Sequence, residues 1–462
     1  MRPWWKELRL TLILALPIML GQLGQMMMPV IDAAMIGRLG VTPLAAVAFG
    51  TLVVWIPLIA GFGLCVAVHV LVASAHSSGR REEAGEVLRH GLWLGALYGI
   101  ICGVGLQCGL GLLNHIPHID QDVINAAKPF IVLMGWSTVP VLGFTVVKNY
   151  CEAQNRAWLP LGVLAGSLVL NVLLNWIFIY GHLGAPAMGV AGAGLATLLA
   201  RAAAFITLLI CARRSAILRP IWKRGAWAWL AGERVWRMLA LGGPSGVQIL
   251  FEVGMFNFAT LLAGMLGRVT LDAHQIALNV ASLAFMVPLG LSMATGIRVS
   301  HAAGLGEFSR ARRIGWSSIA CAVGFMAVYA VGVMGLREIL PHLFLQPNSA
   351  DARAVLELAS KLLIWAAAFA VFDGAQVTTL GTLRGLRDVR VPTVLSFTGY
   401  WLVCAPLAWY LGWRRGWGGP GVWAGLFGGV MVVAILLMAR FEIISRRRAT
   451  SAVNLASAQN SP

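Results

Sequence analysis

From Leu10 to Ile36 the chain carries one charged residue, Asp32, and this stretch is the first of twelve long apolar runs in 462 residues. A helix rises about 1.5 Å per residue, so roughly twenty such residues cross a hydrocarbon core of about 30 Å. A helix also satisfies its own backbone polar groups, which hydrocarbon cannot do. The runs lie near 10–36, 44–73, 91–113, 129–150, 159–181, 189–211, 239–266, 274–300, 315–336, 355–383, 391–412 and 420–440. The chain is 59% hydrophobic and 11% charged, against about 25% charged for soluble domains. The expected fold class is an all-α polytopic membrane protein with twelve transmembrane helices.

The connections fix the orientation. Lys and Arg number 26 on the side that carries the N-terminus and 8 on the other, with Arg201 inside the sixth run. Positive charge stays inside, so both termini are expected in the cytoplasm of an inner-membrane, multi-pass protein. The net charge of +17 is strung between apolar spans, and no nucleic-acid motif accompanies it, so no nucleic-acid partner is expected. Seven cysteines form no CxxC pair, which argues against disulfides and zinc. The first run is too long for a signal peptide and reads as an uncleaved span.

The longest basic connection, 213–237, holds Trp222, Trp227, Trp229 and Trp236 among its charges. It reads as a cytoplasmic linker between an N-terminal six-helix lobe, 1–212, and a C-terminal six-helix lobe, 238–441. Residues 442–462 read as a polar tail, disordered from Thr450. The halves repeat. Gly37-Arg38 matches Gly267-Arg268, Pro57 matches Pro288, Val72–Ala84 matches Val299–Ala311, and Pro160 matches Pro392. Six spans per half start both halves on the same side, so the repeat is parallel, with a pseudo-two-fold axis along the membrane normal.

Charges inside the spans mark the chemistry. An aspartate at the depth of Asp32 costs about 2.5–3.5 kcal/mol on insertion scales. Glu252 in span seven and Asp373 in span ten lie near the midplane. A desolvated carboxyl can take up and release a proton near neutral pH, or hold Na⁺ where neutral oxygens surround it. Asn171 and Asn175 share one face of span five. They and Thr197 of span six lie at about the depth of Asp32, which suggests an oxygen-rich cation cage from three helices. Arg201 can neutralise a carboxylate or snorkel towards the inner face, and the second is favoured. Met26–Met28 and the many tryptophans pack against lipid or helix, or face aromatic cations. The chain has no GxxxxGK[ST], HExxH or GxSxG, so neither ATP hydrolysis through a P-loop nor those hydrolytic enzyme classes are indicated. An ion gradient is the expected energy source, with no cofactor.

ALPIMLGQ with D-x-x-M-I-G-R-L-G in span one, LNVLLNWIFIYG in span five, GVAGAGLAT in span six and GTLRGLRDVRVP after span ten resemble the multidrug and toxic compound extrusion (MATE) family. The similarity covers about residues 8–440, and the three carboxylates resemble its NorM-type bacterial branch. The resemblance implies alternating access between two lobes, with export of small cationic amphipathic molecules in exchange for Na⁺ or H⁺. It also implies a coupling-ion site at Asp32, Asn171, Asn175 and Thr197 with the Ala193 carbonyl. Glu252 and Asp373 would be ion or substrate carboxylates of the C-terminal lobe. Some relatives have a second acid on span five; this chain has Asn175, so the site carries one acid and the ion stays open.

The expected function is thus a cation-coupled multidrug antiporter in the lipid bilayer, working as a monomer and not an enzyme. A lipid or lipid-linked oligosaccharide flippase of the same architecture is the alternative, and it would line its cavity with cationic residues for phosphates. A multispanning membrane enzyme would need a nucleophile–base or metal constellation at one depth, and none is found.

Overall fold

A computed structural model describes residues 3–115, 120–214, 232–345 and 350–459. Among the described residues it holds twelve helices long and apolar enough to cross a membrane and no β-strand. In chain order they are α1 (Trp4–Leu39), α2 (Val41–Ser77), α3 (Arg81–Cys108), α4 (Gln121–Ala153), α5 (Trp158–Tyr180) and α6 (Gly189–Arg214). The second half follows with α7 (Gly232–Met265), α8 (Arg268–Gly304), α9 (Phe308–Leu336), α10 (Ala350–Gly385), α11 (Arg390–Arg414) and α12 (Gly419–Ser451).

Two expectations meet the chain ends of these helices. The last helix continues to Gln459, so the tail expected to be disordered from Thr450 is helical as far as that residue. Its sequence TSAVNLASAQ has no Gly or Pro to stop a helix and three alanines to favour one. Of the expected linker, 215–231, with Trp222, Trp227 and Trp229, lie outside the described residues.

Local breaks have local causes. Ser137 interrupts α4 between helical segments Gln121–Trp136 and Thr138–Ala153. Pro140 has no N–H to give the carbonyl four residues back, which weakens the helix at that turn. The Ser137 hydroxyl caps the break by donating to the Met134 carbonyl at 2.7 Å. In α11 the residues Thr398–Cys404 and Tyr410–Arg414 are π-helical, a geometry that concentrates at functional positions.

Packing groups the chain into two compact units, Leu20–Gly246 and Met1–Met19 with Val247–Pro462. The division falls inside α1 and α7, whereas the lobe borders expected from sequence lie at 212 and 238. Close backbone approaches explain why. A side chain on Gly63 of α2 would stand 2.5 Å from the Gly246 nitrogen, and one on Gly290 of α8 would stand 2.8 Å from Met19 Cα. Only glycine lets those helices touch the beginnings of α7 and α1 so closely.

The same positions correct the repeat's register. Gly40 (φ 126°) precedes α2 as Gly267 (φ 113°) precedes α8, and Gly79 (φ 71°) matches Gly306 (φ 76°). Each pair is 227 residues apart, as are Gly63 and Gly290. The matches Gly37–Gly267 and Pro57–Pro288 were therefore out of register by three or four residues. A slip of one turn keeps the same helix face, so apolar patterning does not expose it.

Candidate ion and substrate sites

In the Leu20–Gly246 unit, Asp32 is buried at 4% exposure and takes hydrogen bonds on both carboxylate oxygens. The Asn175 amide donates to Oδ1 at 2.6 Å, and the Thr197 hydroxyl donates to Oδ2 at 2.8 Å. Asn171 joins them, donating its amide N–H to Thr197 Oγ1 at 3.3 Å and accepting from Asn175 at 3.3 Å. The four residues placed together by depth along their helices are in one hydrogen-bonded group. Ala193, one turn before Thr197 on α6, has its side chain in the apolar cluster that includes Ile36, Val47 and Phe130.

This group offers donors that could hold a monovalent cation or a proton. Asn175 Oδ1 is buried and accepts no hydrogen bond, a state that costs about 1–3 kcal/mol unless a donor or cation meets it. One carboxylate, two amides and a hydroxyl form an all-oxygen set that suits a hard cation. Among the described residues no three His, Cys, Asp or Glu side chains converge on a metal position.

A cavity opens beside Asp32, walled by Met28 and Pro29 of α1, Thr51 and Trp55 of α2, Phe130 and Met134 of α4, and Arg201 of α6. Arg201 does not snorkel to the inner face, the course favoured from sequence. Its Nη1 donates to Ser137 Oγ at 2.7 Å, at the break in α4, and the side chain lies within Coulombic reach of Asp32. The broken helix turns a hydroxyl towards α6, and that hydroxyl holds the guanidinium at the cavity wall.

The unit containing Val247–Pro462 holds Glu252 and Asp373, the second of them 5% exposed, close enough to interact electrostatically. Three polar residues accompany them. Arg384 of α10 donates to Gln248 Oε1 at 2.6 Å and interacts with Glu252. Tyr400, in the π-helical stretch of α11, is 1% exposed and within reach of both carboxylates. Gln376, three residues after Asp373, is fully buried with its amide within reach of Tyr400. Neither carboxylate in this group is held by neutral donors as Asp32 is.

Comparison with known proteins identifies the family. The MatE family model matches residues 17–177 and 244–410, more than half of the chain and both halves of the repeat. The chain belongs to the MATE family. It is 38% identical to the probable multidrug resistance protein NorM of Mesorhizobium japonicum, over 95% of this chain and 94% of that one. It is 35% identical to the protein of the same name from Bradyrhizobium diazoefficiens, over 95% and 93%. Its fold is that of the eukaryotic MATE transporter AtDTX14 (TM-score 0.84, 20% identity, 97% of this chain and 99% of that one). The Vibrio cholerae MATE transporter VcmN in its bent form is as similar (TM-score 0.83, 19% identity, 96% and 98%). The protein is thus a multi-pass membrane transporter and not an enzyme.

Sequence reading of this MATE-family chain missed several buried charges. Lys148 and Glu152 of α4 are 4% and 1% exposed and 3.6 Å apart, and Lys148 donates to Gln22 Oε1 at 3.2 Å. Their spacing of four residues in a helix was the available signal. Glu7 of α1 is also buried, ion-paired with Arg298 and, at 2.9 Å, with Arg310. It lies outside the apolar run, where a lone acid draws no notice.

Proposed function

We propose that this transporter exports small cationic amphipathic molecules, drugs among them, in exchange for Na⁺ or H⁺. It would work as a single chain in the cytoplasmic membrane, with both termini inside. The observation that carries this reading is the Asp32 group: a buried carboxylate set in neutral oxygens, with the unpartnered Asn175 Oδ1 beside it. The names of the relatives support drugs as the cargo.

In the outward-open state the coupling cation would bind at Asp32 and lower affinity for the cationic substrate, which leaves. Return to the inward-facing state carries the ion in and lets new substrate enter from the cytoplasm or inner leaflet. The two ligands must differ in affinity between the two states, or one cannot drive the other. One charge moved through 100 mV supplies about 2.3 kcal/mol. A phosphate-binding flippase is less well supported. The guanidiniums of Arg201 and Arg384 each lie in reach of a carboxylate, so neither site presents uncompensated positive charge.

The test is drug uptake into proteoliposomes with Na⁺ and H⁺ gradients imposed separately, together with Asp32→Asn in an efflux-deficient host. One gradient should drive accumulation, and the variant should reach the membrane but give no resistance. Accumulation driven by neither gradient, or resistance undiminished by the substitution, overturns the proposal.

A further inference from the structure

Arg201 is unexplained by ion binding at Asp32, since a fixed positive charge opposes a cation. Its place is nonetheless built. It lies four residues after Thr197 on α6, one turn along the same face, and Thr197 donates to Asp32. Its one hydrogen bond among the described residues goes to Ser137, and the residue lines the cavity that Asp32 also lines. The neighbouring helices bring no other charge to that wall. From α2 come Val47, Thr51, Val54, Trp55 and Leu58, and from α4 Phe130 and Met134; α5 packs only the neutral amides of Asn171 and Asn175 against Thr197 and Asp32.

We propose that Arg201 is a resident counter-charge that sets how much coupling cation the Asp32 site requires and keeps cation and cationic substrate from sharing the cavity. This rests on the reading of Asp32 as the coupling site. With Asp32 ionised and no cation present, acid and guanidinium bring the cavity to zero net charge. With a cation or proton at Asp32, the net charge is +1, and a cationic substrate is repelled. Arg201 thereby turns occupancy of a small site into a change of charge across the whole cavity. The arrangement also weakens cation binding, so the ion is released again after return to the inside. At an effective dielectric of about 20, removing a unit charge as far as about 12 Å from the ion should change its affinity about tenfold, and more if the charge is nearer.

The experiment measures drug transport in proteoliposomes carrying the full chain, against Na⁺ concentration at fixed pH and against pH without Na⁺. Wild type, Arg201→Gln, Arg201→Lys, Ser137→Ala and Asp32→Asn are compared. On the axis to which wild type responds, Arg201→Gln should half-saturate at about tenfold lower cation concentration, which is one pH unit higher if the ion is H⁺. Arg201→Lys, which keeps the charge, should stay within about twofold of wild type. Ser137→Ala frees the guanidinium to pair with Asp32 and should raise the requirement severalfold.

An unmoved half-saturation in Arg201→Gln overturns the proposal, as does an equal shift in Arg201→Lys, which would mark packing rather than charge. If Arg201→Gln does not reach the membrane, Ser137→Ala decides, and an unchanged requirement there overturns it. Asp32→Asn separates the two readings. Retained ion dependence in that variant defeats the coupling site itself, whereas its loss beside an unmoved Arg201→Gln defeats only the role given to Arg201.

Discussion

The two halves of the repeat share a backbone and differ in polar chemistry. At the 227-residue spacing, Asp32 corresponds to Ala259, which is fully buried, and Glu252 corresponds to Gln25. In the Leu20–Gly246 unit one acid is held by Asn175 and Thr197 at 2.6 and 2.8 Å. In the other unit two acids interact with each other and with Tyr400, beside the fully buried Gln376. On the reading proposed above, a carboxylate enclosed by short-range donors would suit one small ion. Two less restrained carboxylates next to aromatic and amide groups suit a larger or more variable guest. The backbone pattern repeats, and the buried polar residues differ between the two halves.

Substitutions can break this comparison. Asp32→Asn carries the largest expected effect, with ion-driven transport lost by a hundredfold or more, since no second acid is there to substitute. Glu252→Gln and Asp373→Asn should each cost less, about tenfold, because one carboxylate remains; the double variant should fall as far as Asp32→Asn. Efflux rates at equal membrane expression check this, and single variants as inactive as Asp32→Asn would show that the second pair is no more tolerant than the first. A smaller effect is expected of Thr197→Val, which removes one of the two direct donors to Asp32. A hydrogen bond to a charged group contributes about 1.5–3 kcal/mol, so the cation dependence of transport should shift by roughly tenfold, and Thr197→Ser should restore it.

Much of this was legible in the sequence, for definite reasons. Membrane spans declare themselves by length and hydropathy, and the carboxylates by their cost in hydrocarbon. Helical rise placed Asn171, Asn175 and Thr197 level with Asp32, because depth along a straight helix is a linear count. Azimuth is not such a count. Whether Arg201 points inward, to lipid or to the inner face depends on where α4 breaks, and Ser137 gives no pattern from which to read that. Gln376 and Tyr400 look like ordinary residues of apolar helices until packing leaves them beside Asp373. The exchange of the first parts of α1 and α7 between units was hidden for another reason. It rests on single glycines, Gly63 and Gly290, in a chain that has 53.

That exchange supplies the comparison with the smallest expected effects. Glu7 near the start of α1 and Arg234 near the start of α7 are 227 residues apart, and each anchors its helix by an ion pair of opposite polarity. Glu7 meets Arg310 of α9 as well as Arg298 of α8, while Arg234 meets Glu86 of α3. Burial separates them: the Glu7 side chain is 10% exposed and Arg298 9%, against 43% for Arg234 and 24% for Glu86. Removing one partner of a buried pair leaves an uncompensated charge and costs about 3–5 kcal/mol. A solvent-screened pair contributes about 0–1 kcal/mol. Glu7→Gln should therefore lower the thermal unfolding midpoint of the purified protein clearly, and Arg234→Gln should barely move it. Equal shifts would mean that the two anchors are equivalent in spite of their burial. A shift confined to Glu7→Gln would make the beginning of α1 the firmer of the two exchanged segments.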